Sequence, residues 1–231
     1  MNESSKTRAI RPPFFVDSFL RGKLLDIGAG DDLVCPWAEG FDVGDGDANV
    51  ISRFRPVESY DCVHSSHCLE HMISPASALR EWWALVKPGG FLVIVVPDED
   101  LYEQRHWPSL FNGDHKWTFR RDTGTSWSPR SIVLAELFHT LPGCDVLSVT
   151  LQDMNYDRSL QDDGTRRPPN VWISRLMILL ARLGRFGLAA QKPMFRTLFA
   201  LGCAVDQTLG NALAQIQIVA RKDTQGENHP L

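Results

Sequence analysis

Cysteine is scarce: Cys35, Cys62, Cys68, Cys144 and Cys203 are five among 231 residues, and no two form a C-x-x-C pair. That excludes a disulfide scaffold and suits a reducing compartment. Long apolar runs are also missing. No stretch reaches 18 apolar residues, and the two longest, around 171–183 and 195–205, are too short to span a bilayer. The opening MNESSKTRAIRPPFF has no apolar centre, so no secretory leader is expected and the cytoplasm is the expected location. An excess of positive charge is lacking too, since the formal net charge is −4. A generic nucleic-acid binder is normally basic, so nucleic acid is not the expected partner.

What is present is an alternation of short apolar runs and helical segments. Lys23–Ile27, Gly40–Val43, Asn49–Ser52, Tyr60–Ser65, Phe91–Val96, Asp145–Leu151 and Leu213–Arg221 read as seven strands. The six unbroken apolar residues of Phe91–Val96 fit a central parallel strand covered on both faces. Leu213–Arg221 alternates apolar with polar residues, which predicts a strand that is half-buried or near an edge. Ser74-Pro75 starts a helix whose Leu79, Trp82, Trp83 and Val86 share one face, and Ser131–Thr140 predicts another. Only nine residues part Gly30 from Gly40, so the first crossover needs a short helix or a loop. The expected fold is α/β, a doubly wound Rossmann-like seven-strand sheet with a helical insertion before the last strand. The expected units are a tail and short helix (1–22), a core (23–151 with 213–222), a basic helical insertion or cap (152–212) and a flexible tail (223–231).

The turn Asp26-Ile27-Gly28-Ala29-Gly30-Asp31-Asp32-Leu33 brings backbone close to a ligand at the strand ends. It lacks the third glycine of a dinucleotide fingerprint, where Leu33 stands, and the G-K-[ST] of a P-loop. Between Leu24 and Ser52 lie seven acids and no Lys or Arg. Such a mouth repels pyrophosphate and suits a ligand with amino and sulfonium cations and ribose hydroxyls.

LLDIGAG, GFDV, YDCVHSSHCLEHM and ALREWWALVKPGGFLVIVVPD, in that order, resemble a class I S-adenosylmethionine-dependent methyltransferase, nearest the small bacterial group with S-S-H-x-L-E-H and L-K-P-G-G motifs. The resemblance covers about residues 22–100. It implies S-adenosylmethionine as cofactor, with Asp26, Gly28, Ala29 and Gly30 at its methionine part, Asp42 at the ribose, and Ser66 and His67 bordering it. The acid this family often carries near the adenine is replaced by Ile51-Ser52-Arg53.

His71 and His115 are the candidate catalytic residues, His115 because it lies in the long loop after the central strand. His67 and His71 are spaced to share a helical face. His67, Glu70, His71 and His115 also resemble the E-x-x-E-H…H metal set of RNA-end ribose methyltransferases, with His67 in place of the first glutamate. The chosen reading has no metal. From Gly164 to Val205 there are seven basic residues and no acid, interleaved with large apolar side chains, and Arg175, Arg182 and Arg185 fall roughly on one helical face. That pattern suits a cap, an anionic membrane surface or lipid-linked substrate, or a dimer interface. Arg166-Arg167-Pro168-Pro169 is a candidate contact for an anionic substrate.

The expected function is O-methylation of a saccharide or lipid-linked saccharide, with peripheral contact at the inner membrane face through 165–205. The saccharide follows from the resemblance alone. Two other readings stand beside it: a non-catalytic scaffold that docks on a membrane or partner, and a metal-assisted RNA-end ribose methyltransferase.

Overall fold

The computed structural model describes residues 3–224; the side chains of residues 184–186 and 188 lie outside the description. The sequence reading on the Arg185 side chain and most of the expected 223–231 tail therefore fall outside the described residues.

Six strands form the main sheet: β1 (Leu24–Ile27), β2 (Glu39–Phe41), β3 (Tyr60–Ser66), β4 (Val86–Pro97), β7 (Cys144–Gln152) and β8 (Gln215–Lys222). Their order is β2-β1-β3-β4-β8-β7. The first four are parallel, and β8 and β7 run antiparallel to their neighbours. Six replaces seven because Ala48–Arg53, which covers the expected strand at Asn49–Ser52, is a 3-10 turn. Asp47 caps it by accepting a hydrogen bond from the Asn49 N–H.

Successive residues feed opposite layers, as a pleated strand requires. Leu25, Leu92, Ile94 and Ile218 pack with α3 (Pro75–Leu85) and α4 (Leu134–His139). Leu24, Val93 and Val219 pack with Phe15 of α2 (Pro13–Phe19), Leu20 and Val34. Both layers are sealed, which accounts for the unbroken apolar run of β4. In α3, Leu79, Trp82 and Trp83 are buried, and Val86 is buried where β4 begins. The first crossover has no helix, as its length requires.

Two expectations change. Ser131–Thr140 is a short strand, β6 (Ser131–Val133), followed by α4; β6 pairs in parallel with β5 (Thr118–Arg120). β8 lies beside the edge strand β7, near an edge as expected, but it is buried rather than half-buried. Its polar Gln215 and Gln217 are buried and satisfied by the N-terminal segment rather than by solvent. Gln215 Nε2 donates to Thr7 Oγ1 and to Gln152 Oε1, and Gln217 Oε1 accepts from Arg11. Thr7 belongs to α1 (Glu3–Ile10).

Residues 152–212 carry α5 (Val171–Arg182) and α6 (Gly184–Ala200) around a small core of Leu160, Met177, Phe195, Leu198 and Val205. Among the described residues, no helix is long and apolar enough to cross a membrane.

Candidate functional site

The site lies at the carboxyl ends of β1, β2 and β3. β1 is followed by Gly28 (φ +74°), whose N–H donates to the Phe41 carbonyl at 2.8 Å and ties the ends of β1 and β2 together. A Cβ on Gly28 would lie 2.7 Å from Cys68 Cβ, so only glycine fits there without displacement. Gly30 (φ +51°) donates its N–H to Asp42 Oδ2 at 2.7 Å, and Val43 donates to Oδ1 at 2.7 Å. These two bonds hold the half-buried Asp42 carboxylate at the mouth of the turn. Ala29, between the two glycines, is half-buried.

Asp26 behaves differently from the expectation that it lines a ligand. It is buried beneath the turn, where Oδ2 accepts from the Val34 N–H at 2.6 Å and Oδ1 from His64 Nδ1 at 2.6 Å. His64 Nε2 in turn faces the Arg11 guanidinium at 3.1 Å. Burial pushes the His64 pKa down, against the opposing pull of Asp26, so the ring is neutral beside a charged pair. The Asp26 carboxylate thus fixes the turn from below.

A cavity of 670 Å³ opens over this edge. Its polar lining includes Asp42, Asp47, Asn49, His67, His71 and Asp114. Phe41, Val43, Cys68 and Met72 supply apolar wall, and no Lys or Arg lines it. Of the expected cofactor residues, Gly28, Asp42 and His67 line this cavity. Ser66 does not: it is buried, and its hydroxyl has no hydrogen-bond partner. His67 adopts a positive φ (+53°), unusual for a side-chain-bearing residue, and its Nε2 meets Gln215 Oε1 at 2.9 Å.

His67 and His71 do not share a helical face, because His67 is the bend that follows β3 and only Leu69–His71 forms a 3-10 turn. They meet instead through Glu70, which is fully buried. His67 Nδ1, His71 Nε2 and His115 Nε2 each lie 3.8 Å from Glu70 Oε1. Among the described residues, neither carboxylate oxygen of Glu70 has a hydrogen-bond partner.

The loop after β4 folds His115, the candidate catalytic residue, inward rather than presenting it to the cavity. It is 6 % exposed, and Nδ1 meets Glu103 Oε1 at 2.6 Å. Burial lowers its pKa, but the Glu103 hydrogen bond and the charges of Glu70, Glu103 and Asp114 outweigh this and raise it. His71 is at the rim: Nδ1 lies 3.0 Å from Asp114 Oδ2, and its ring stands edge-on to His115 with centroids 4.9 Å apart. The loop that carries Glu103 and Asp114 is anchored by buried Glu99, which accepts from Thr118, Ser126 and Ser131 hydroxyls.

Sequence reading missed Glu103, Asp114 and Gln215. Glu103 sits in DEDLYEQ, a run that reads as a solvated loop, and Gln215 lies in the alternation that suggested an edge. The neighbouring pair Asp114-His115 was the one visible signal. Arg166 is turned into the cap, with Nε 3.7 Å from Asp162 and its guanidinium over Phe199, so it is not displayed to an anionic substrate.

A family model described as a methyltransferase domain matches residues 5–139. No curated protein matches the chain. Among solved structures, the fold is similar to a SAM-dependent methyltransferase from Archaeoglobus fulgidus (TM-score 0.50, 14% identity, covering 96% of this chain and 95% of that one). It is also similar to the YcgJ protein from Bacillus subtilis (TM-score 0.50, 14% identity, 97% and 100%). With the glycine turn and the acid-lined cavity in place, the chain belongs to the methyltransferase domain family and is an enzyme that uses S-adenosylmethionine.

Proposed function

We propose that this methyltransferase transfers its methyl group to a hydroxyl oxygen of a saccharide or lipid-linked saccharide. The observation that carries the cofactor half of this reading is the 670 Å³ cavity lined by Asp42, Asp47 and Asp114 and by no Lys or Arg. A cationic sulfonium and amino group are favoured there, and a pyrophosphate is repelled. Gly28, Ala29 and Gly30 approach the methionine part through backbone. Asp42, held by two N–H groups, keeps lone pairs for the ribose hydroxyls. His67 borders the ligand, while Asp26 and Ser66 act as positioning residues behind it. Phe41, Val43 and Met72 offer apolar surface to the adenine, on the side where Ile51-Ser52-Arg53 supplies no acid.

In the transfer, an acceptor oxygen lone pair forms a bond to the methyl carbon while the carbon–sulfur bond breaks. The bonding electrons stay on sulfur, giving S-adenosylhomocysteine, and the acceptor's proton leaves. His71, at the rim, positions the acceptor hydroxyl, whose proton passes to solvent. His115 positions His71 by edge-on contact. In-line placement supplies most of the rate, since a sulfonium is already a good leaving group.

The lipid-linked variant draws support from α5. Trp172, Leu176, Leu179 and Leu183 follow one another at i, i+4, i+7 and i+11 and are all exposed, with Arg175 and Arg182 alongside. Apolar side chains flanked by arginines suit an anionic lipid surface. The acid-lined cavity speaks against an RNA end as acceptor.

Calorimetry with S-adenosylhomocysteine tests the cofactor site. Micromolar affinity is expected for the protein, with a loss of roughly 100-fold or more in Asp42→Ala, about 2.7 kcal/mol. Labelled methyl transfer to free saccharides, lipid-linked saccharides and an RNA oligonucleotide then tests the acceptor. Label on the RNA, or on neither saccharide, overturns the proposal.

A further inference from the structure

The Glu70 cluster is left unexplained by the cofactor cavity. A carboxylate fully removed from water normally accepts several hydrogen bonds, because an unpaired buried charge is costly. Glu70 accepts none through its side chain. It is nevertheless surrounded by imidazoles, with the ring nitrogens of His67, His71 and His115 each 3.8 Å from Oε1. That separation is too long for a hydrogen bond. It is close to the spacing of two ligands on one ion: bonds of about 2.0–2.2 Å at a tetrahedral angle set ligand atoms about 3.4 Å apart.

The rings are held for this. His71 Nδ1 faces the Asp114 carboxylate at 3.0 Å, and His115 Nδ1 faces Glu103 at 2.6 Å. A carboxylate can only accept, so each Nδ1 carries the proton and each Nε2 can present its lone pair inward. Carboxylate behind imidazole is the arrangement that orients metal-binding histidines and raises their basicity. Glu70, His71 and His115 offer ligand atoms that all lie within 4.8 Å of one another.

We infer that Glu70 Oε1, His71 Nε2 and His115 Nε2 bind one divalent transition-metal ion. Two imidazoles and one carboxylate suit Zn²⁺, Co²⁺ or Mn²⁺ better than Mg²⁺, whose preferred ligands are all oxygen. His67 is not required, since it lies outside the three residues whose ligand atoms are all within 4.8 Å of one another. Three protein ligands leave coordination positions open, and His71 places them at the wall of the cofactor cavity. The ion therefore sits where an acceptor oxygen approaches the transferred methyl group. That last role rests on the proposed methyl transfer; the binding itself does not.

The test is equilibrium dialysis and calorimetry of the full chain with Zn²⁺, together with visible spectroscopy on Co²⁺. One equivalent is expected, with intense d–d bands of a low-coordinate Co²⁺ site and at least 100-fold weaker binding of Mg²⁺. Glu70→Gln and His115→Ala each lose binding by 100-fold or more. Glu103→Gln, which touches no metal, loses 10–100-fold. His139→Ala, on an exposed histidine, changes nothing. His71→Ala sits at the half-exposed rim and carries the test should the buried variants fail to fold. S-adenosylhomocysteine binding is measured on the same samples, so a failed cofactor site and a failed metal site are told apart. Absence of a stoichiometric site in protein that is folded by circular dichroism overturns the inference. So does Zn²⁺ binding that Glu70→Gln and His71→Ala leave unchanged, or binding that follows the exposed His139.

Discussion

α3 and α5 are both amphipathic, nearly equal in length and each carry tryptophan, yet they end in opposite circumstances. α3 buries Trp82 and Trp83 against the sheet, and each ring nitrogen donates to a backbone carbonyl, of Ala48 and Pro142. α5 buries only Met177, and its Trp172 is 76 % exposed. An apolar face states that something will cover it, not what. For α3 the cover is β3 and β4 of the same chain; on α5, Trp172, Leu176 and Leu179 stay exposed. Substitutions on the two sides should separate stability from contact.

The largest effect is expected under the sheet, at the buried Arg11–His64–Asp26 chain. Arg11→Met keeps the length of the side chain but leaves Asp26 without its permanent counter-charge. Breaking a buried pair in this way costs about 3–5 kcal/mol. In the native protein, burial keeps the His64 pKa below its ordinary value. That contribution is present above the unfolded pKa of about 6.5 and fades as pH falls below it. In Arg11→Met, His64 becomes the remaining cation for Asp26 and its folded pKa rises. Stability should then recover below pH about 6.5 and be lost as pH climbs through the raised value. Urea midpoints at pH 5.5 and 8 read the reversal. A variant with the native pH slope would show that Arg11 is not the partner that sets the charge on this chain.

That buried chain also marks what the sequence could and could not disclose. β4, α3 and the glycine turn were legible because periodicity and turn chemistry are local. Gln215 and Gln217 sit in an alternation that does not disclose their burial, because polarity within a strand is ambiguous. Their partners, Thr7 and Arg11, lie some 200 residues earlier, and no spacing rule links them. The same holds for the site. Gly28, Asp42 and His71 were legible from motifs, whereas Glu103 joins His115 across a loop of twelve residues that carries no periodicity. Asn49–Ser52 was taken for a strand because a short β-branched run looks alike in either conformation, and the Asp47 cap decided for a 3-10 turn.

A smaller effect is expected at Asp98, at the junction of β4 and the loop that carries Glu103 and His115. Burial pushes its pKa up to about 6, although the Leu101 and Asp100 N–H groups pull the other way. The folded state holds this proton between the unfolded pKa near 4 and the folded value. Stability therefore falls as pH rises through that window, by up to roughly 3 kcal/mol for a shift of about two pH units. Asp98→Asn keeps the acceptor oxygen that receives both N–H groups and removes the charge. It should raise the thermal midpoint at pH 8 and leave it near native at pH 4. Equal midpoints at pH 8 would mean that the charged carboxylate is better solvated than its burial implies.

The smallest effect on stability, and the sharpest contrast, is expected on α5. Trp172→Gln with Leu176→Gln removes two exposed apolar side chains and leaves the Met177 side of the helix intact. Surface changes of this kind fall within about ±0.5 kcal/mol. If the face meets an anionic lipid surface, the native protein floats with anionic vesicles and not with neutral ones. The double variant stays in solution, although it melts like the native protein and binds S-adenosylhomocysteine with the same affinity. The corresponding pair on α3, Trp82→Gln with Leu79→Gln, should abolish folding, because the same chemistry there replaces core. A native protein that ignores anionic vesicles would remove the lipid assignment, and sedimentation of the double variant against native would then ask whether a second copy covers the face. Either way the two helices are told apart by what their apolar side chains meet, since their sequence patterns do not distinguish them.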